Sequence, residues 1–218
     1  MNQFWSDVAV YGPGFLKASW LVLWITVLTI LVSWGCGLAA ALAQRSALAP
    51  VKGLANFYIW FIRGTPALIQ IFIIYFGMPQ LGIRLSPFTA GVLALGFNSG
   101  AYVAEIIRAG LQAIPRGQTE SSLALGFSGF QTMQSIILPQ VFRIILPAVT
   151  NEAISTLKNT SLLSTITVVE LTLYAQTLIS ATFRPFDFYI AVAVIYLVLT
   201  TVLTQLANWL ERRYGRLS

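Results

Sequence analysis

The feature that most constrains this chain is a series of long stretches without a formal charge, the first of which fills the 27 residues between Lys17 and Arg45. At about 1.5 Å per residue such a stretch makes roughly 40 Å of helix, enough to cross a bilayer with tilt. Uncharged stretches of 20 residues follow from Gly64 to Ile83 and from Leu85 to Ala104, and one of 23 runs from Phe188 to Leu210. With 57% hydrophobic and 9% charged residues, most of this chain has lipid as its solvent. In lipid every backbone N–H and C=O must find its partner inside the segment, so the expected class is an all-α membrane protein. About five crossings consume most of the length. Residues 1–218 therefore read as a single transmembrane domain.

The crossings are expected at approximately 18–44, 54–78, 86–108, 138–163 and 188–210, with a polar connection at 112–135. The Ala41-Leu42-Ala43 stretch resembles a signal-peptidase site, but the apolar run before it is longer than the roughly 7 to 15 residues of a secretory segment. It reads as an uncleaved span. Arg143, Glu152, Lys158 and Glu170 interrupt the stretch from Ile136 to Phe183, where parity with the flanking segments requires an odd number of crossings and one fits. Arg45, Lys52, Arg108, Arg116, Arg212, Arg213 and Arg216 fall on one side of this arrangement, and Lys17, Arg84 and Arg184 on the other. The excess of positive charge marks the cytoplasmic side, which predicts an outer N-terminus and a cytoplasmic C-terminus.

Composition also removes whole classes of chemistry. There is no histidine and only one cysteine, Cys36, so disulfide frameworks, the usual Cys/His metal sites and Ser-His-Asp catalysis are excluded. No catalytic and no metal residues are assigned. The net charge of +6 is scattered at the ends of apolar runs rather than gathered into a stripe, which argues against nucleic acid as a partner.

Local signals punctuate the spans. Pro66 removes a helical hydrogen bond and predicts a kink, and Gly77-Met78-Pro79 with Gly82 predicts a turn. Gly96 and Gly100 form a GxxxG pair that favours close packing of another helix of the same chain. Ionisable groups at membrane depth are paired, line water or act, and Arg63, Glu105, Glu152 and Lys158 are the four to explain. Glu105 and Arg108, at i and i+3, read as an ion pair near the cytoplasmic boundary. Glu152, Ser155, Thr156 and Asn159 share one helical face, with Asn151 and Lys158 beside it. Asn98, Ser99 and Tyr102 make a second polar face above Glu105. Either face can line a translocation path or supply hydrogen bonds between helices, and the pattern alone leaves both readings open.

Energy coupling is constrained by an absence, because the phosphate-binding pattern GxxxxGK[ST] does not occur. If transport is driven by ATP, another polypeptide hydrolyses it. The polar connection supplies a contact for such a partner: Gln118 to Leu125 can form two turns of helix ending at Gly126, with Glu120 near its start complementing the helix dipole. Ser128 to Gln131 then has the form of a capping box that restarts the helix, and Leu123 and Phe127 offer an apolar contact.

The run Glu120-Ser121-Ser122-Leu123-Ala124-Leu125-Gly126, followed by Ile137-Leu138-Pro139, resembles the EAA loop of ABC importer permeases, with two serines where the family pattern has alanines. Phe61 to Pro66, Asn98 to Gly110 and Leu157 to Leu162 extend the resemblance to the branch that imports polar amino acids such as histidine, glutamate, glutamine, arginine and opines. The resemblance implies the type I importer fold in a bacterial cytoplasmic (inner) membrane, crossed several times. It implies alternating access with no covalent chemistry on this chain, so the chain is not an enzyme. Two permease subunits, identical or homologous, would sit on a cytoplasmic ABC ATPase dimer that holds ATP and magnesium. An extracytoplasmic binding protein would deliver the amino acid.

Within that frame Glu120, Ser121, Ser122, Leu123 and Gly126 are expected at the ATPase, and Asn98, Tyr102, Glu152, Ser155, Lys158 and Asn159 along the substrate path. Glu105, Glu152 and Glu170 stand against Arg63 and Lys158, a balance that leaves basic, neutral and acidic substrates open with a lean to basic ones. The competing reading is an ATP-independent channel or secondary carrier for small polar solutes; carriers often show an internal repeat, and none is evident.

Overall fold

The computed structural model describes residues 2–214; Arg216, one of the cations assigned to the inner side, lies outside the described residues. Every regular element in that range is helical. Helix α1 (Asn2–Gln44) is followed by α2 (Ala49–Gly64), by α3 (Ala67–Phe72) and by α4 (Pro87–Gln112). A π turn and a 3-10 turn carry α3 on to Leu81. Then come α5 (Arg116–Ala124), α6 (Gly129–Thr132), α7 (Leu138–Asn159), α8 (Leu171–Thr182) and α9 (Pro185–Tyr214). A π turn, Met133–Ile137, joins α6 to α7, and a 3-10 turn, Thr160–Ile166, prolongs α7.

Four stretches are long and apolar enough to cross a membrane: Asp7–Gln44, Pro87–Gln112, Gly129–Ile166 and Pro185–Tyr214. Helix α2 and the α3 stretch, which meet at an angle of 114°, together make either a broken span or a re-entrant loop, so the crossings number four or five. The break is much sharper than a proline kink, and its local cause is visible. Thr65, squeezed by the ring of Pro66, adopts extended backbone angles of φ −124° and ψ 148°. The carbonyls released by that break do not go unpaired, since Gln70 Nε2 donates to Ile62 O at 2.8 Å and to Thr65 O at 3.1 Å.

The first helix starts well before the expected residue 18 and runs through Gly12-Pro13-Gly14 without a break. Its 43 residues make a rod of roughly 65 Å, about twice the hydrocarbon thickness. Its early turns are held by the last helices: Arg184 binds Asp7 at 2.8 Å and Asp187 at 2.7 Å, and Tyr11 meets the Phe188 ring edge-on. The hydrogen bonds from Arg184 to Asp7 and then to Asp187 hold its guanidinium above the usual arginine range.

Contacts between helices give their relative directions. Val32 faces Gly96, Cys36 faces Gly100 and Gly37 faces Val103, so α1 and α4 run the same way. Gly91 faces Leu163 and Gly110 faces Ile145, so α7 runs opposite to α4. Thr150 bonds Glu211 and Thr160 bonds Tyr196, so α9 reverses α7. Helices α1 and α9 are therefore parallel.

The core follows from this layout. A Cβ added at Gly96 would run into Val32, and one at Gly100 would stand 2.9 Å from Cys36 Cβ, so the GxxxG pair serves packing inside the chain. Lipid tails are as apolar as leucine, which makes such close approach, rather than burial as such, the source of cohesion here. The outward face of α9 shows Leu197, Val198, Val202 and Leu206, as expected of a lipid-facing helix.

Candidate functional site

Two polar regions carry the residues singled out by sequence. The first lies where α4 meets α7. Ser99 Oγ donates to Glu152 Oε1 at 2.8 Å, and the hydroxyl of Thr156, 2% exposed, lies 3.3 Å from Ser99 Oγ. Ser155 and Asn159 are half-buried on the same helix, and Lys158 is exposed. Among the described residues neither Glu152 nor Lys158 forms an ion pair; those present are Arg63–Glu105, Arg108–Glu105, Arg184–Asp7 and Arg184–Asp187.

Asn98 turns another way. Its side chain, 7% exposed, donates to Gln70 Oε1 at 3.0 Å, and Gln70 in turn caps the broken end of α2. Asn98 thus fixes the break between α2 and α3. Tyr102 is 36% exposed, with the Arg63 guanidinium 5.7 Å from its ring centre. Arg63 also reaches Glu105 at 3.2 Å, and Arg108 grips the same carboxylate through Nη2 at 2.8 Å and Nε at 2.9 Å. The expected pair of Glu105 with Arg108 is therefore a triad that also ties α2 to α4.

The second region is the connection between α4 and α7. Helix α5 begins at Arg116, so Glu120 lies beyond the first turn, where the dipole of the helix start no longer favours it; the expected dipole role is corrected accordingly. The helix stops as expected: Gly126 has φ +86°, its N–H donates to Leu123 O, and Phe127 N–H donates to Ser122 O. These two bonds are those of a Schellman cap. The capping box at Ser128 is complete, with Gln131 N–H donating to Ser128 Oγ and Ser128 N–H to Gln131 Oε1.

Glu120 and Ser121 are exposed, as are Leu123 at 50%, Leu125 at 79% and Phe130 at 76%. Ser122 is not: it is 4% exposed and its hydroxyl lies 3.0 Å from that of Thr132. Leu123 and Leu125 thus stand exposed outside the candidate spans, and Phe130 at the start of the stretch Gly129–Ile166.

Sequence reasoning missed Gln70 and Thr132, and it named Glu170 only as a charge and not as a helix cap. Glu170 is fully buried and caps α8 through Thr172 N–H and Leu173 N–H, while Tyr196 donates to it at 2.9 Å. Its signal was a lone carboxylate before an apolar helix, a position more often filled by Ser, Thr, Asp or Asn.

Residues 32–216 match the family model of the binding-protein-dependent transport system inner membrane component. The chain is 39% identical over 215 residues to the glutamine transport system permease protein GlnP of Escherichia coli strain K12, covering 98% of both. It is 37% identical to the probable glutamine ABC transporter permease protein GlnM of Bacillus subtilis strain 168, covering 98% of this chain and 97% of that one. In the crystal structure of an amino acid ABC transporter with histidines, one chain is 42% identical and superposes with a TM-score of 0.90, covering 95% of this chain and 97% of that one. The MetNI methionine ABC transporter in an inward-facing form shares the fold at a TM-score of 0.76 and 17% identity, covering 92% of this chain and 96% of that one.

Proposed function

The chain belongs to the family of binding-protein-dependent transport system inner membrane components, and from that premise we propose how its two polar regions divide the work of transport. It is a permease subunit of an ABC amino acid importer. The reading as an ATP-independent channel or carrier is set aside on the same grounds.

The α4–α7 face, with Glu152, Ser155, Lys158 and Asn159 on α7 and Tyr102 on α4, lines the path of the amino acid. Asn98 holds the wall beside it. One observation carries this assignment: Glu152 and Lys158 have no ion partner among the described residues, whereas Arg63 and Arg108 both pair with Glu105. A half-buried anion and an exposed cation left free on one helix suit a zwitterion, whose ammonium and carboxylate each need a counter-charge.

The connection carrying Glu120, Ser121, Leu123 and Gly126 faces the cytoplasm and docks on a separate ABC ATPase, which holds ATP and magnesium. Ser122 supports that surface from behind. The N-terminus lies outside and the C-terminus inside a bacterial inner membrane. A second permease copy or homologue completes the path, and an extracytoplasmic binding protein delivers the substrate. The substrate is a polar amino acid, with glutamine the first to test, since glutamine permeases are among the relatives of closely matching length.

The test is uptake of labelled glutamine, arginine and glutamate by proteoliposomes containing this chain with its ATPase and binding protein. ATP-dependent uptake of one of them supports the reading. Uptake driven by an ion gradient without ATP refutes it.

A further inference from the structure

We propose that the hydroxyl pair Ser122–Thr132 and the amide pair Gln118–Gln140 form a joint that makes α5 one rigid body with α7, so that motion of the docking helix reaches Glu152 undiminished. The inference rests on the docking role given above to α5.

A nine-residue helix has little stability of its own and takes its position from what it packs on. Two breaks in the helical backbone flank α5: the connection through Ala113, Ile114 and Pro115, and the turn at Gly126 with its left-handed backbone. Left to these, α5 would swing freely and a push on it would be lost in bending.

Side-chain contacts bridge the second break, and at the first Ile114 packs in the apolar cluster that α4 and α7 share. Ser122 and Thr132, 4% and 2% exposed, share a hydrogen bond across the Gly126 turn. Gln140 Nε2 donates to Gln118 Oε1 at 3.3 Å and to Ile136 O at 2.8 Å, bridging the start of α5 to the first turn of α7. Helix α5 packs on α6 and on the π turn before α7.

From Thr132 the helical stretch continues through that π turn into α7, within the span Gly129–Ile166. The 20 residues from Thr132 to Glu152 make a rod of about 30 Å, whose far end meets α4 at Ser99. Motion of α5 is thereby delivered along α7 to the α4–α7 contact at Ser99. Ser122, Thr132, Gln118 and Gln140 act here as positioning residues.

The experiment measures amino acid imported per ATP hydrolysed in proteoliposomes of the complete transporter. Thr132→Val, of nearly equal shape without the hydroxyl, is expected to lower that ratio roughly fivefold with the complex still assembled. Thr132→Ser, which keeps the hydroxyl, is expected to stay near wild type. An unchanged ratio in Thr132→Val, or an equal fall in Thr132→Ser, overturns the joint.

A second measurement applies even if the valine variant misfolds. Gln118→Cys with Gln140→Cys, in a Cys36→Ala background, is bridged by a short bifunctional thiol reagent. Uptake that survives the bridge supports a single rigid body; uptake that the bridge abolishes, while returning on its reductive removal, overturns it. Absence of ATP-dependent uptake in the wild type would instead refute the functional reading itself.

Discussion

Ser99 on α4 and Glu152 on α7, 53 positions apart in the chain, are joined by a 2.8 Å hydrogen bond in which the serine donates to the carboxylate. The carboxylate thus has two duties, holding α7 against α4 and keeping a negative charge on the face assigned to the path. Glu152→Gln separates them, because the amide oxygen still accepts from Ser99. Its thermal midpoint should match wild type, while the apparent KM for the imported amino acid should rise about tenfold, the equivalent of about 1.4 kcal/mol. An unchanged KM in the uptake assay would assign Glu152 to packing alone.

Glu105 binds two guanidiniums, those of Arg63 and Arg108, whose side chains are 45% and 44% exposed. Solvent weakens both bonds, so Glu105→Gln is expected to cost only about 1 kcal/mol, seen as a lower unfolding midpoint in detergent. The loss should shrink at high salt. In the double variant with Arg63→Gln the two effects should be clearly less than additive, since the residues share one contact.

Gly96 and Gly35 make a matched pair on facing helices. A Cβ at Gly96 would strike Val32, whereas nothing lies within 4 Å of one at Gly35. Gly96→Ala should destabilise by about 1–3 kcal/mol through forced separation of α1 from α4. Gly35→Ala should be neutral or stabilising by up to about 1 kcal/mol, because alanine favours the helix. Thermal unfolding of the two purified variants distinguishes them directly.

The φ of +86° at Gly126 is poorly tolerated by any residue with a Cβ. Gly126→Ala should cost about 1 kcal/mol locally and re-aim the end of α5. Combined with a charge reversal on the exposed docking face, as in Glu120→Arg with Gly126→Leu, co-purification of the ATPase should be lost. Normal recovery of the ATPase with that double variant would remove the docking role from α5.

How far the molecule was legible depended on the range of the interaction. The caps at Gly126 and Ser128 were readable because each is set by neighbours within a few positions. The partners of Gln70 were not readable: a lone glutamine in an apolar run gives no sign that it closes a broken helix and binds Asn98, 28 positions away. Ser122 was legible as part of a motif but not as a residue facing inward, because a short helix can be rolled either way by what it packs on.

The sequence by itself determined that this chain is helical and lies in a membrane, and which family it resembles. Uncharged length and backbone satisfaction in lipid allow little else. Tertiary structure alone decided which polar groups pair with one another. The Arg63–Glu105 pair spans 42 positions and the Ser99–Glu152 bond 53, and such partnerships depend on how whole helices cross. In lipid, crossing is set by the close approach of small residues such as Gly96 and Gly100, and that geometry set Glu152 against Ser99 and left it, like Lys158, outside the ion pairs of the described residues.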